Sequence, residues 1–193
     1  MTPERERKFR NAISKRQGGL TVIMEHVHDP HNISAVMRSC DAVGIAEIYV
    51  IPELAEREYR FGNRSSASAL KWVETHTFED VESCYAAVRE KYSQILTTHL
   101  SKDAKSIYDA DLSGSLALVF GNEKYGVTEK AVELADGNLI IPQVGMIQSL
   151  NISVACAVTL YETYRQRSVK GLYDQATLTS AQEAEMFELW SNK

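Results

Sequence analysis

Short apolar runs and helically spaced apolar stripes alternate along most of this chain. Leu20 to Met24, Glu47 to Ile51, Ser93 to Thr97, Leu116 to Phe120 and Leu139 to Ile141 have the length and branched-residue content of strands covered on both faces of a parallel sheet. Between them the spacing turns helical. Ile33, Val36, Met37, Cys40 and Val43 form one stripe, with Asn32 expected as its cap and Gly44 as its stop. Val81, Tyr85 and Val88 form another within Phe78 to Lys91. Thr128 is expected to open a third helix that closes near Asp136-Gly137, where glycine permits the positive φ of a C-terminal cap, and Ser149 to open a long helix from about Leu150 to Gln166. Strands separated by helices, without hairpin signals, predict an α/β fold: a parallel sheet with helices on both faces.

The ends read differently. Glu4 to Gln17 predicts a short basic helix with a narrow stripe, Phe9, Ala12 and Ile13, which must dock on a body to be stable. Gly18-Gly19 breaks it. Gly171 ends the long helix, and Ser180 to Trp190 forms a last one through Ala184, Phe187 and Leu189. The expected organisation is a basic helical extension over 1–19, a body over 20–168, and a helical extension over 169–193.

Composition narrows the class. At 193 residues, 44% hydrophobic and 24% charged, the chain is globular and long enough for a real core. The charged start MTPERERKFR and the lack of any membrane-length apolar run predict a soluble cytoplasmic protein. Three widely spaced cysteines, Cys40, Cys84 and Cys156, suggest neither disulfides nor zinc. His28 and His31 bracket Asp29-Pro30 without a cysteine nearby, so no metal site is expected. The net charge of -5 hides an asymmetry: residues 1–19 carry +4 and residues 164–173 add Arg165, Arg167 and Lys170, leaving an acidic body. Basic ends on an acidic body can bind phosphates locally, and they can equally be solvated helix faces.

Candidate chemistry lies in the two loops after Phe120 and Ile141. Gly121 to Thr128 reads G-x-x-x-x-G-V-T between a strand and a helix, but Val127 stands where a phosphate-binding loop needs lysine. No G-x-G-x-x-G occurs. Three blocks, HVHDPHNISAVMRSCDAVG, FGNEKYGV and IPQVGMIQSLNISVA, in that order, resemble the signature motifs of the SpoU/TrmH branch of the SPOUT methyltransferases. The likeness covers nearly the whole chain.

That resemblance implies a deep C-terminal trefoil knot over about 116–161, S-adenosylmethionine held in its loops, and an obligate homodimer. It implies 2′-O-methylation of a ribose in RNA, with the D-loop guanosine of tRNA as the expected target; a ribosomal RNA, a tRNA anticodon-loop ribose, or a catalytically silent RNA-binding knot are the alternatives. By motif position Arg38, Asn32, Glu123, Ser149 and Asn151 are the implied catalytic set. Gly121, Ile141, Met146 and Leu150 are the implied cofactor residues, with Met146 as an apolar wall and Gly121 and Gly145 allowing close backbone approach. The terminal extensions would grip tRNA through Arg5, Arg7, Lys8, Arg10, Arg165, Arg167 and Lys170. In the stretch RSSASALKWV, Arg64 and Lys71 are possible RNA contacts, and Trp72 is expected to pack in the core. A guanidinium resists deprotonation, so Arg38 is expected to hold a phosphate and favour the ionised hydroxyl by its charge rather than act as the base.

Overall fold

The computed structural model describes residues 1–53, 69–101 and 103–193. In chain order its elements are α1 (Pro3–Ile13), β1 (Leu20–Glu25), α2 (Pro30–Ala42), β2 (Glu47–Ile51), β3 (Glu74–Thr77), α3 (Val81–Arg89), β4 (Gln94–Thr98), β5 (Lys105–Ser106), β6 (Leu116–Phe120), α4 (Glu129–Leu134), β7 (Gly137–Ile140), α5 (Ile152–Val169) and α6 (Ser180–Ser191). Among the described residues the strands form one sheet, ordered β3-β2-β1-β6-β4-β7-β5, with every pairing parallel.

The five strands expected from apolar runs all form, and they are the five that lie between β3 and β5. The two edge strands were not expected. β3 is Glu-Thr-His-Thr and β5 is two residues long; an edge strand has one neighbour and need not bury both faces, so no apolar run marks it.

Successive side chains of a strand point to opposite faces, and β1 shows the consequence. Val22 and Met24 pack with Val36, Met37 and Cys40 of α2 and Cys156 and Leu160 of α5, while Ile23 packs with Cys84, Tyr85 and Val88 of α3 and Ala131 of α4. All three cysteines are free and buried. Burial, and then the carboxylates of Glu25 and Asp80, pushes the Cys84 thiol up to about 12, and burial followed by contact with Cys40 pushes Cys156 well above its ordinary value.

Several helix boundaries differ from expectation, three of them at the loops that matter here. The cap of α2 is Asp29, whose carboxylate accepts from the His31 amide at 2.8 Å with Pro30 in the first helical position, so Asn32 lies inside the first turn and its side chain is free for other work. The cap of α5 is Asn151, which accepts from the Ser153 amide at 2.9 Å, and Ser149 stays in the preceding loop. α4 ends in an extended Ala135, because Asp136 is drawn toward β4 by hydrogen bonds with Ile95 N (2.7 Å) and Ile95 O (2.8 Å); Gly137 therefore begins β7 rather than capping a helix.

The extensions dock on each other and on the body. Phe9 and Ile13 of α1 pack with Trp190 of α6, and Trp72 lies 5.5 Å from Phe9 and 5.0 Å from Trp190 between ring centroids. Trp72 thus packs, as expected. α1 ends at Ile13 rather than Gln17, and the turn that follows buries Arg16, which donates to Ile45 O (2.7 Å), Trp72 O (3.2 Å) and Asp41 (2.6 Å). At the start of β2, Glu47 accepts from Lys91, Tyr49 and Tyr92 and contacts His76, each within 3.0 Å. Burial pushes its carboxyl up, and Lys91, Tyr92, His76 and Tyr49 together outweigh burial and hold it below the usual value.

Candidate active site

In an open parallel sheet, ligands bind beyond the carboxyl ends of the strands. Here the chain leaving β1, β6 and β7 converges at that end. Asn32, in the first turn of α2, donates its Nδ2 to Glu123 Oε1 at 2.8 Å and accepts on its Oδ1 from Asn151 Nδ2 at 3.1 Å. A polar chain Glu123–Asn32–Asn151 therefore ties the three loops together. Asn151 also caps α5, receiving Ser153 Oγ at 2.6 Å as well as the amide, so one side chain sets both the helix start and the inter-loop contact.

The loop carrying Glu123 is folded tightly on itself. Its Asn122 accepts on Oδ1 from the amides of Lys124 (2.8 Å) and Tyr125 (3.1 Å), and Gly126 N returns to Asn122 O at 2.8 Å. A Cβ on Gly121 would meet Gly126 and Val127 backbone at 2.2 Å, so only glycine fits there. Beside this loop lies a cavity of about 380 Å³, lined by Gly121, Glu123, His99, Leu100, Ile141, Ser149 and Leu150 among others. Apolar walls from Leu100, Leu139, Ile141 and Ile152, with the polar residues Thr98, His99, Asn122 and Ser149 between them, suit a small organic ligand having a flat apolar part and hydrogen-bonding edges.

Of the residues expected in the site, Asn32, Glu123 and Asn151 meet through hydrogen bonds, and Gly121, Ile141, Leu150 and Ser149 line the cavity. Arg38 is not brought into this group: it is exposed on α2, two residues past the last full turn from Asn32 and roughly 9 Å further along the axis. Met146 makes no wall in the single chain, being 98% exposed, and a Cβ on Gly145 would meet nothing within 4 Å. Residues 142–149 are all exposed, and Gln143, Gln148 and Ser149 of that loop line the cavity.

The basic residues divide sharply. Arg5, Arg7, Lys8 and Arg10 are exposed along α1, with Arg10 paired to Glu6 at 2.8 Å and the Arg5 guanidinium 5.1 Å from the Phe9 ring centroid. Arg165 is exposed but pairs with Glu162 (2.7 Å), which is 8% exposed, and Lys170 pairs with Asp111 (3.2 Å) at the surface. Arg167 is a different case: it is 3% exposed and donates to Gln17 Oε1 (3.0 Å), Gly114 O (2.7 Å) and Gly19 O (3.3 Å). It holds the start of β1 and of β6 to α5 and is unavailable to RNA. Lys71 is exposed, and Arg64 lies outside the described residues.

Residue reading had passed over Asn122, Asn138 and Glu25. Asn138 fixes the loop after β4, accepting from His99 N (2.9 Å) and donating to His99 O (2.7 Å). An asparagine directly after a strand glycine is a turn signal that could have marked Asn122, and a carboxylate ending the wholly buried run of β1 could have marked Glu25.

A parallel α/β sheet with a cavity at its carboxyl edge, walled by three hydrogen-bonded loops, defines the class of protein. The sequence profile of the SpoU rRNA Methylase family matches residues 19–161, and the chain belongs to that family. The tRNA (guanosine(18)-2′-O)-methyltransferase of Thermus thermophilus is 38% identical over 193 residues, covering 100% of this chain and 98% of that protein. The enzyme of the same name from Escherichia coli K12 is 39% identical over 173 residues, 90% of this chain and 75% of the relative. In structure, the A. aeolicus TrmH/SpoU tRNA modifying enzyme superimposes with a TM-score of 0.90 at 33% identity, covering 98% of this chain and 95% of that one.

Proposed function

We propose that this protein transfers a methyl group from S-adenosylmethionine to the ribose 2′-hydroxyl of the D-loop guanosine of tRNA, as a knotted homodimer. The observation that carries the reading is the Glu123–Asn32–Asn151 chain beside the loop cavity, on a chain similar at 38% and over nearly its full length to an enzyme named for that reaction. The cofactor supplies a methyl group on a sulfonium centre. This chain's residues hold and orient: Gly121, Ile141 and Leu150 offer main chain and apolar surface, and the Glu123–Asn32–Asn151 chain keeps the three loops in register so that an incoming hydroxyl is presented in line. Arg38 carries a fixed positive charge at the surface of α2, about 9 Å along the helix axis from Asn32, and would hold a target phosphate and stabilise an ionising hydroxyl.

The knot reading is supported by how the chain after β7 lies against the loops after β4 and β6, all three lining one cavity. The homodimer reading is supported by apolar side chains left exposed on one chain. Val144, Met146 and Ile147 protrude from the loop before α5, and Val154 and Tyr161 share one face of α5 at seven-residue spacing. A second copy covering this face would also complete the environment of Met146. Among the described residues no helix is long and apolar enough to cross a membrane.

Incubation with labelled S-adenosylmethionine and unmodified tRNA, with ribosomal RNA in a parallel arm, followed by nuclease mapping, tests the reaction. A 2′-O-methyl group on the D-loop guanosine supports it; label confined to ribosomal RNA, to a base or to nothing overturns it. Light scattering of the parent and of Val154→Asp tests the dimer, which the parent forms and the variant loses.

A further inference from the structure

We propose that Glu25 is a positioning residue of the cofactor site, acting through Thr128 to fix the far end of the 121–128 loop. Glu25 ends β1 and is 0% exposed. Its Oε1 accepts from Thr128 Oγ1 at 2.6 Å and its Oε2 from Thr128 N at 3.0 Å, joining positions 103 residues apart. The next residue grips the other end of the same loop: His26 O accepts from Asn122 Nδ2 at 2.9 Å. To present that carbonyl, His26 adopts φ 54, a left-handed conformation that non-glycine residues rarely take and that persists where the surroundings over-determine it.

The loop needs such a bracket because packing anchors it at Val127, which is 5% exposed, but leaves residues 123–125 exposed. On one side lies the cofactor cavity; on the other, a second cavity of about 670 Å³ is lined by His26, Glu53, Tyr125 and Glu129. A thin wall between two openings takes its position from hydrogen bonds at its ends. Between the two grips sits Glu123, which reaches Asn32, and directly before the first lies Gly121, which lines the cofactor cavity. A buried carboxylate is costly to desolvate, and an apolar residue would fill the same volume; what the carboxylate adds is two acceptors aimed at one residue.

This rests on the assignment of the cavity to S-adenosylmethionine, and the experiment separates the two. Calorimetry gives the Kd for S-adenosylmethionine, steady-state kinetics the KM for tRNA, and thermal melting the Tm. Glu25→Leu removes both acceptors and Glu25→Gln retains a carbonyl for Thr128 N. Thr128→Val removes the hydroxyl, and Thr128→Ser keeps it both for Glu25 and for capping α4 through Ala131 N. The expected result is a Kd weakened about tenfold or more in Glu25→Leu and Thr128→Val, as lost pre-organisation predicts, an intermediate value in Glu25→Gln, and parental binding in Thr128→Ser. The tRNA KM stays near the parental value. A lower Tm with unchanged Kd in folded Glu25→Leu would reduce Glu25 to a purely structural residue and overturn the proposal. Should Glu25→Leu not fold, parental Kd in Thr128→Val overturns it in the same way. A parent that binds no S-adenosylmethionine removes the cofactor assignment, and the proposal with it.

Discussion

Arg167 and Arg165 lie two positions apart on α5, carry the same charge, and should respond to alanine in opposite ways. Arg167→Ala removes a buried guanidinium that satisfies Gly114 O, Gly19 O and Gln17 Oε1. Each acceptor left dry costs about 1–3 kcal/mol, and water entering the vacated space recovers part of the total, so a net loss of about 3–5 kcal/mol is expected. For a chain of this size that lowers Tm by roughly 6–20 °C. Arg165→Ala removes an exposed guanidinium from the largely buried Glu162 carboxylate, which keeps Gln166 Nε2 at 2.8 Å, so its Tm should fall by less than that of Arg167→Ala while tRNA binding weakens and the salt dependence of log K falls by about one phosphate contact. Thermal melting by circular dichroism at fixed protein concentration, paired with tRNA titrations at several salt concentrations, reads both effects. If Arg167→Ala melts within 2–3 °C (about 1 kcal/mol) of the parent and loses tRNA affinity as Arg165→Ala does, the assignment of Arg167 to the fold is wrong.

Arg38→Ala should lower kcat by orders of magnitude with little change in tRNA affinity, and Arg38→Lys tests whether point charge suffices; near-parental turnover in Arg38→Ala would remove Arg38 from the chemistry. Asn32→Ala breaks the Glu123–Asn32–Asn151 chain at its centre and leaves the Asp29 cap in place, so turnover and cofactor affinity should drop together while helicity measured by circular dichroism holds. Glu47, with its folded pKa below the ordinary value, contributes stability that is fully present above about pH 4.3 and fades as pH falls through the folded value. Glu47→Gln should therefore melt lower than the parent at neutral pH and show a shallower loss of Tm on acidification below pH ~5; parallel Tm curves would contradict this. Replacing Arg5, Arg7 and Lys8 together with Gln should reduce the salt slope of tRNA binding by about 2–3 and leave S-adenosylmethionine affinity unchanged.

What could be read from the residues was decided by burial. β1, β2, β4, β6 and β7 are interior strands whose side chains mostly face helices on both sides, so the apolar run is continuous and visible; β3, as Glu-Thr-His-Thr at the edge, obeys no such pattern. Thr128 caps α4 as expected, and the other two expected caps lie within three residues of the observed ones. Asp29 and Asn32, or Ser149 and Asn151, are similar in capping strength, and the choice between them was made by Pro30 in one case and by the meeting of Asn151 with Asn32 in the other. The site itself joins residues 91 and 119 positions apart, a proximity that only the sheet order creates, so its members were reached through the motif resemblance and not through periodicity. Arg167 was misplaced because charge counting ignores direction: two residues along a helix turn by about 200°, so one arginine of the pair faces solvent and the other the body.

The same distinction changes how the basic ends work. Of the charges that make residues 164–173 positive, Arg167 is buried and Arg165 and Lys170 are paired to carboxylates, and in the first extension Arg16 is buried against Asp41 and Arg10 is paired with Glu6. The cations left to meet phosphates without first breaking an ion pair are Lys15, which donates to Tyr173 O beyond the helix end, and Arg5, Arg7 and Lys8, on a helix held by Phe9 and Ile13 against Trp190. That helix joins the body at the far end of α5, where the Gln17 amide donates to Leu172 O at 3.2 Å, whereas Asn151 in the site begins the same helix. An 18-residue helix spans roughly 27 Å. Grip and chemistry in one chain are thus separated by the length of α5, a distance that a free nucleotide cannot bridge and a folded RNA can, which is why changes on α1 and changes at Asn32 should appear in different kinetic constants.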